Sequence, residues 1–556
     1  MINKREGMNI RSTILNLMGL KNKVDWKLLL FLILFLDVKL GVKILAIILI
    51  YLLRFDFHFG FKLKNSRLPL FYLLIALIAI AGAIINKTYA LPNYALVLSG
   101  GIGFWLLCIL AVHQVKLAVE RNELAVIHDT ILLFFLINGV ISLLNLGLIV
   151  LETHAFNPYT YQGQYQKYFM NTGDYIKGVT FDTSTTNAIL NAFGVIYFLI
   201  RNNFLMVLFC MVILLLTVSN FTNLALIFIL LLLFVFKSSK NQKSLITVCL
   251  IVFVIFMAKI SPQNNSYLKG GRYLFHHQLI NASPIVIPSP VLRITERPDR
   301  SLGPEEKREK TAMLYIDSIY RIHEQTGLKN KPSYLTNAVL ISDAGRIKVP
   351  KDDINSASFQ SLKNTPPEQH PLLNFIQIHH AALPVSGHSV HLYLPGKALG
   401  LLQTINFFKH HPGKLIAGDG LGNFSSKLAF RVTGLGINGG YLSKYSYINP
   451  DFLVNHLDLY LYFFSKNAEF HSFTNSPFSV YDQLIAEYGL LGIAAFFICY
   501  IRFFAQHWKV ITYGLPLLVL TMGMLFIDYW FEKLSILIFF ELFLFLDIKE
   551  SSAAQI

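Results

Sequence analysis

Glu487 lies in SVYDQLIAEYGLLG, a stretch otherwise apolar enough to sit in a membrane, with Asp482 about one turn before it. An ionisable group in hydrocarbon costs roughly 2.5 to 3.5 kcal/mol on insertion scales, so such a residue points to function by default. Asp528, Glu532 and Lys533 form a second group, between or at the ends of two apolar runs, where Asp528 and Lys533 can reach water or pair with each other. The third constellation is AGDGLGNFSSKLAFR, Ala417 to Arg431. A glycine cluster with open backbone amides beside Lys427 and Arg431 is suited to holding an anion, a set of tight turns being the plainer alternative. It is no nucleotide-binding P-loop, because the Gly-Lys-Ser/Thr ending is missing.

Other chemistry is less well supported. Twelve of the seventeen histidines fall between residues 260 and 478, including His379-His380, His410-His411 and the pair His388 and His391. No cysteine or regularly spaced carboxylate accompanies them, so they read as solvated or hydrogen-bonded side chains and no metal site is expected. Cys108, Cys210, Cys249 and Cys499 all lie inside apolar runs, which removes disulfide and zinc chemistry. The net charge of +16 is spread over short loops, with no basic helix or aromatic platform, so anionic lipid headgroups explain it better than nucleic acid.

The elements that must position these residues are membrane helices. Of the 556 residues, 54% are hydrophobic and the mean hydropathy is +0.51, outside the ordinary globular range. Apolar runs long enough for a bilayer core of about 30 Å recur near 68–86, 95–114, 126–151, 185–201, 204–219, 222–236, 244–259, 479–503, 511–527 and 530–547. Trp26 to Leu53 is interrupted by Asp37, Lys39 and Gly41 and predicts a tight hairpin of two short helices. The expected fold is an all-α polytopic membrane protein of about twelve transmembrane helices with one large outward loop.

Lys and Arg cluster in the loops 4–23, 54–67, 116–121, 237–243 and 502–509, which all fall on one side with the hairpin in place and mark it as cytoplasmic. The expected organisation is a basic cytoplasmic arm (1–25, with no signal peptide) and a membrane region (26–259, about nine spans, with an outward loop at 152–184). An outward loop (260–478), three further helices (479–547) and a cytoplasmic tail (548–556) follow. Within the large loop, 296–370 reads as an exposed insertion containing two segments rich in charge, Pro, Ser and Asn. The part from 396 to 431 reads as a helix followed by the glycine turn, the helix lying on the membrane body through Leu399, Leu402, Ile405 and Phe408.

The order of these features resembles the O-antigen polymerase and O-antigen ligase superfamily. Three places carry the likeness: SPFSVYDQLIAEYGLLGI (476–493), the helix and glycine turn from Gly396 to Arg431, and LLLTVSNFTNLALIF (214–228), a pair of short spans around a polar break. The motifs cover about a sixth of the chain, and order and topology extend over most of it. Three positions depart from the family pattern. Asn220 and Thr222 stand in the polar break where relatives usually carry Arg, Lys397 replaces an Arg at the start of the loop helix, and the nearest histidine before the Glu-x-Gly motif is His471.

The resemblance implies a metal-independent and cofactor-free glycosyltransferase in the inner membrane, with both termini cytoplasmic and the large loop periplasmic. Its donor would be a polyprenyl-diphosphate-linked oligosaccharide, and its other partners membrane lipids and polysaccharide assembly proteins, not nucleic acid. Lys397, Lys427, Arg431 and Lys444, with Gly420, Gly422 and Asn423, would meet the diphosphate or glycan, and His471 or Glu487 would serve as base. Tyrosines in NPYTYQGQYQKYF (157–169) would offer faces to sugars or form an interfacial belt. Polymerisation of surface polysaccharide repeat units is the leading expectation, because the arginines familiar in ligases are missing. Ligation to a lipid acceptor, transport and a non-catalytic assembly role are the alternatives.

Overall fold

The computed structural model describes residues 23–60, 68–159, 172–236, 238–261, 298, 396–433, 440–457, 459–460 and 476–553. Among them every regular element is a helix. His471, the insertion 296–370 apart from Pro298, and most of the arm and of the tyrosine-rich segment lie outside the described residues.

Helices α1 (Trp26–Phe35) and α2 (Leu40–Arg54) form the hairpin that Asp37, Lys39 and Gly41 predict. Asp25 closes its open end: one carboxylate oxygen accepts from the Leu28 amide at 3.0 Å, and the other meets the Arg54 guanidinium at 2.6 Å. At 1.5 Å per residue these helices reach about 15 and 22 Å, short of a bilayer core of about 30 Å.

The body continues with α3 (Phe71–Ile85), α4 (Tyr94–Arg121), α5 (Leu124–Thr153), α6 (Ser184–Ile200), α7 (Phe204–Leu216), α8 (Asn220–Phe236) and α9 (Lys240–Ile255). The stretch between 396 and 460 supplies α10 (Gly396–His410), α11 (Lys427–Arg431) and α12 (Pro450–Asn455), and the chain closes with α13 (Val480–Ala495), α14 (Gly514–Met524), α15 (Trp530–Lys533) and α16 (Ser535–Ala553). Among the described residues, four helices are long and apolar enough to cross a membrane: Tyr94–Arg121, Leu124–Thr153, Lys240–Ile260 and Val480–Ala505. The remaining predicted crossings correspond to shorter apolar helices, α1, α3, α6, α7, α8 and α14 among them. Large apolar side chains such as Leu45, Ile48, Leu52, Leu77, Leu144 and Leu148 face outwards along the helices, as a lipid-facing surface requires.

The centre of the body is α16, buried at every residue from Ser535 to Asp547 and packed against α4, α6 and α14. Sequence reading did not single out its Glu541, whose Oε1 accepts hydroxyl hydrogen bonds from Tyr72 and, at 2.9 Å, Tyr500. A run of asparagines ties the segment before α6 into this body. The Asn138 carbonyl accepts from the Val179 amide at 3.1 Å, its amide donates to Asn187 at 2.8 Å, and Asn187 donates to Ile176 O at 2.9 Å. Gly178, at φ +59°, is required there because a Cβ would stand 2.2 Å from Asn138 Oδ1. This docking brings Asp182 inwards.

Helix α10 departs from its predicted face. The spacing of Leu399, Leu402, Ile405 and Phe408 predicts an apolar stripe packed inwards, but Leu401, Leu402 and Ile405 are exposed, while Lys397, Gly400, Gln403, Thr404 and Phe407 are buried with Leu399 and Phe408. Lys397 and Thr404 turn in because the interior holds their partners, Ser476 and Asp482, whereas exposed leucines cost little against lipid.

Candidate functional site

The glycine turn and Glu487 form one unit. Glu487 is 1% exposed, and its carboxylate takes four backbone amides of the turn: Gly422 to Oε2 at 2.8 Å, and Phe424, Ser425 and Ser426 to Oε1 at 3.2, 3.1 and 2.9 Å. Successive amides converging on one anion make a nest. The anion in this nest is the chain's own carboxylate, so these amides are not presented to a ligand.

Two backbones lie side by side where this happens. The Asp419 and Gly420 amides donate to Ala486 O and Glu487 O, and the Leu490 and Leu491 amides donate to Leu415 O and Ile416 O. The contact needs glycine on both sides: a Cβ on Gly418 (φ +74°) would stand 2.4 Å from the Glu487 backbone, and one on Gly489 (φ +64°) 2.4 Å from Ile416 O. Gly489 breaks the helical dihedrals of α13, and the loop takes up the backbone groups this frees. The turn's carbonyls are also held, Leu421 by the Tyr94 hydroxyl at 3.1 Å, Ser426 by Tyr460 at 3.0 Å and Ser425 by Tyr529. Asn423 is an internal strut, its amide on Asp419 O at 2.7 Å and its carbonyl under the Tyr447 hydroxyl at 2.9 Å.

Immediately after this saturated turn, α11 carries Lys427 and Arg431 one turn apart on one face. Both are partly buried, and neither forms an ion pair among the described residues. Burial, then the neighbouring Lys533 and Arg431 charges, brings the Lys427 ammonium down to about 8 against the pull of Asp528 and Glu532. The Phe478 ring lies 5.8 Å from it. Asp528 is paired with Lys533. Glu532 accepts from the Gln483 amide at 2.8 Å through Oε1, while its Oε2 and the Arg431 Nε are buried without a hydrogen-bond partner among the described residues. Asp182, delivered by the asparagine network, adds its charge opposite Lys533 and Lys43, and Lys43 donates to Phe35 O and Ser535 Oγ, both at 2.6 Å.

Of the residues expected to meet a ligand, the structure thus brings Lys427 and Arg431 together. Lys397 is elsewhere engaged, donating to Ser476 Oγ at 3.1 Å, Ile527 O at 3.2 Å and Phe478 O, and burial lowers it to about 7. It fastens α10 to the chain ends around α13 and α14. Lys444 is exposed over the Tyr445 ring and touches none of these groups among the described residues. Gly420, Gly422 and Asn423 shape the turn around Glu487.

A buried histidine that sequence reading passed over, His456, lies 3.8 Å from Asp482 Oδ2, enclosed by Phe424 and Tyr460. Burial lowers it to about 3, so it stands there neutral. Lys43 and Asp182 were equally hard to find: one is a single cation in an apolar run, the other an acid in a loop, and only long-range packing brings them near α15. No group of histidine, cysteine and carboxylate suited to a metal occurs among the described residues. No family model matches this chain, and neither a curated protein nor a solved structure is detectably similar to it.

Proposed function

We propose that this chain is a glycosyltransferase of the cell envelope that extends a polysaccharide from a polyprenyl-diphosphate-linked donor on the outer side of the inner membrane. The observation that supports it is the pair Lys427 and Arg431: two half-sheltered cations on one helical face, with no paired carboxylate among the described residues, beside an ion pair and an aromatic ring. A diphosphate leaving group gains charge as its bond to the sugar breaks, and fixed cations aimed at that charge are usually the largest catalytic term. Arg431 offers a planar fork to phosphate oxygens and Lys427 a point charge. In this reading the Lys- and Arg-rich loops face the cytosol, both termini are cytosolic, and helices α10 to α12 lie on the outer side.

The reading also assigns the earlier features. Glu487 and the glycine turn hold α11 in place, Lys397 fastens α10 over the site, and the exposed leucines of α10 face lipid beside the donor's polyprenyl tail. The test is deletion of the gene in its native host and gel analysis of surface glycan, with complementation by wild type and by Arg431→Ala. Collapse to a single repeat on its carrier, restored by wild type but not by the variant, is the expected result. Free polymer detached from its acceptor would mark a ligase, and an unchanged pattern would overturn the assignment.

A further inference from the structure

Within the glycosyl-transfer reading, on which this step rests, an acceptor hydroxyl must lose a proton, and the residues expected to take it are poorly placed. Both oxygens of Glu487 are occupied by four amides. His456 is enclosed by rings, and its lowered proton affinity makes it a weak base near neutral pH. Asp528 is bound to Lys533, and Asp182 accepts from Thr186 Oγ1 at 2.9 Å while facing Lys43 and Lys533. Asp419 is bound to Lys414 at 2.6 Å.

Glu532 shares with Asp419, Asp482 and Glu541 a buried oxygen without a hydrogen-bond partner among the described residues, but of these four it is the one on which the Arg431 and Lys427 charges act. The Gln483 amide fixes one oxygen at 2.8 Å, and the other is buried with no hydrogen-bond donor among the described residues. Arg431 presents the complementary feature, a buried Nε without an acceptor among those residues. The two side chains act on each other electrostatically but do not form an ion pair. A buried carboxylate oxygen and a buried guanidinium N–H, each lacking a partner, are costly to leave so unless a third group completes both.

We infer that the third group is the reacting end of the substrates, and that Glu532 is the general base for the acceptor hydroxyl. Glu532 Oε2 takes the hydroxyl proton as the acceptor oxygen's lone pair forms the bond to the anomeric carbon. The bond from that carbon to the diphosphate breaks, and its electron pair leaves on the diphosphate oxygen, which Lys427 and Arg431 stabilise. The proton then passes from Glu532 to water. Gln483 is a positioning residue that holds the carboxylate through Oε1 and leaves Oε2 for the proton.

The experiment uses the purified full chain in detergent, with lipid-linked glycan extracted from the deletion strain as donor and acceptor, and geranylgeranyl diphosphate as the binding probe. Glu532→Gln should lower transfer by about 10²- to 10⁴-fold, the usual share of a general base, while the probe still raises the melting temperature as in wild type. The wild-type rate should fall on the acid side of a single apparent pKa, and that limb should vanish in Glu532→Gln and persist in Glu532→Asp. Added formate should restore part of the activity of Glu532→Ala, which a merely structural carboxylate would not allow.

A folded Glu532→Gln variant that transfers at the wild-type rate and keeps the acid limb overturns the base assignment and leaves glycosyl transfer standing. If Glu532→Gln misfolds, loss of the acid limb in Glu532→Asp also overturns it. A wild-type protein that extends no glycan overturns the glycosyl-transfer reading itself.

Discussion

The glycine turn and the cluster that follows it are a few residues apart in sequence and opposite in electrostatic state. From Gly420 to Ser426 the backbone is held internally at most of its turns: the amides of 422 and 424–426 close on Glu487, and carbonyls of 421, 425 and 426 receive tyrosine hydroxyls, the buried Ser425 hydroxyl being the exception without a partner among the described residues. From Lys427 to Arg431 the cations lack paired carboxylates among the described residues, and Glu532, whose charge acts on both, keeps one oxygen without a partner there. Saturated polar groups in an apolar surround give rigidity; unsaturated ones are retained at a cost and mark where a ligand completes them.

If the first region is a brace, breaking it should destroy the fold. Glu487→Ala leaves four buried amides without an acceptor, at about 1–3 kcal/mol each, comparable with the whole stability of a typical domain. No monodisperse protein should survive size-exclusion chromatography, and a variant that purifies and melts like wild type would contradict the brace. Gly489→Ala should cost less, about 2–4 kcal/mol from a strained φ and a backbone clash, read as a lowered melting temperature with the protein still folded.

If the second region is the ligand site, the opposite pattern is expected there. Lys427→Gln and Arg431→Gln should melt within a few degrees of wild type, yet each should slow transfer by roughly 10²- to 10³-fold, the cost of losing one donor aimed at developing charge. Equal losses of stability and activity would merge the two regions into one structural element.

A smaller effect comes from Lys397, which is engaged outside both regions. Burial holds Lys397 near 7, below its usual 10.5, so between those values the unfolded chain binds more protons than the folded one. Stability should therefore rise with pH from about 7 to 10 through this residue. Lys397→Met should flatten that part of the melting-temperature profile, and an unaltered rise would show that the side chain is charged in its socket.

Much of the architecture was legible from composition and spacing, because a membrane imposes long apolar runs and Asp37, Lys39 and Gly41 could only interrupt one. Glu487 stood out for the cost of its charge. What could not be read was which anion the glycine amides serve, since a carboxylate 60-odd residues away in sequence competes with any ligand and only the fold shows that it wins. The α10 face was misread because hydropathy ranks Leu402 and Ile405 above Lys397 and Thr404, and in lipid that ranking no longer decides which side faces the interior. Glu532 was noticed with Asp528 and Lys533, but its bare oxygen depends on Gln483 and Arg431, which sequence does not place beside it.

The most direct measurement is the melting temperature of the purified protein titrated with geranylgeranyl diphosphate, for wild type and for the Lys427→Gln, Arg431→Gln double variant. A ligand that binds only the folded state raises the melting temperature with its concentration. The account predicts a concentration-dependent rise in wild type and none in the double variant, with similar melting temperatures when no ligand is present. An equal rise in both proteins would place the diphosphate elsewhere and contradict the account.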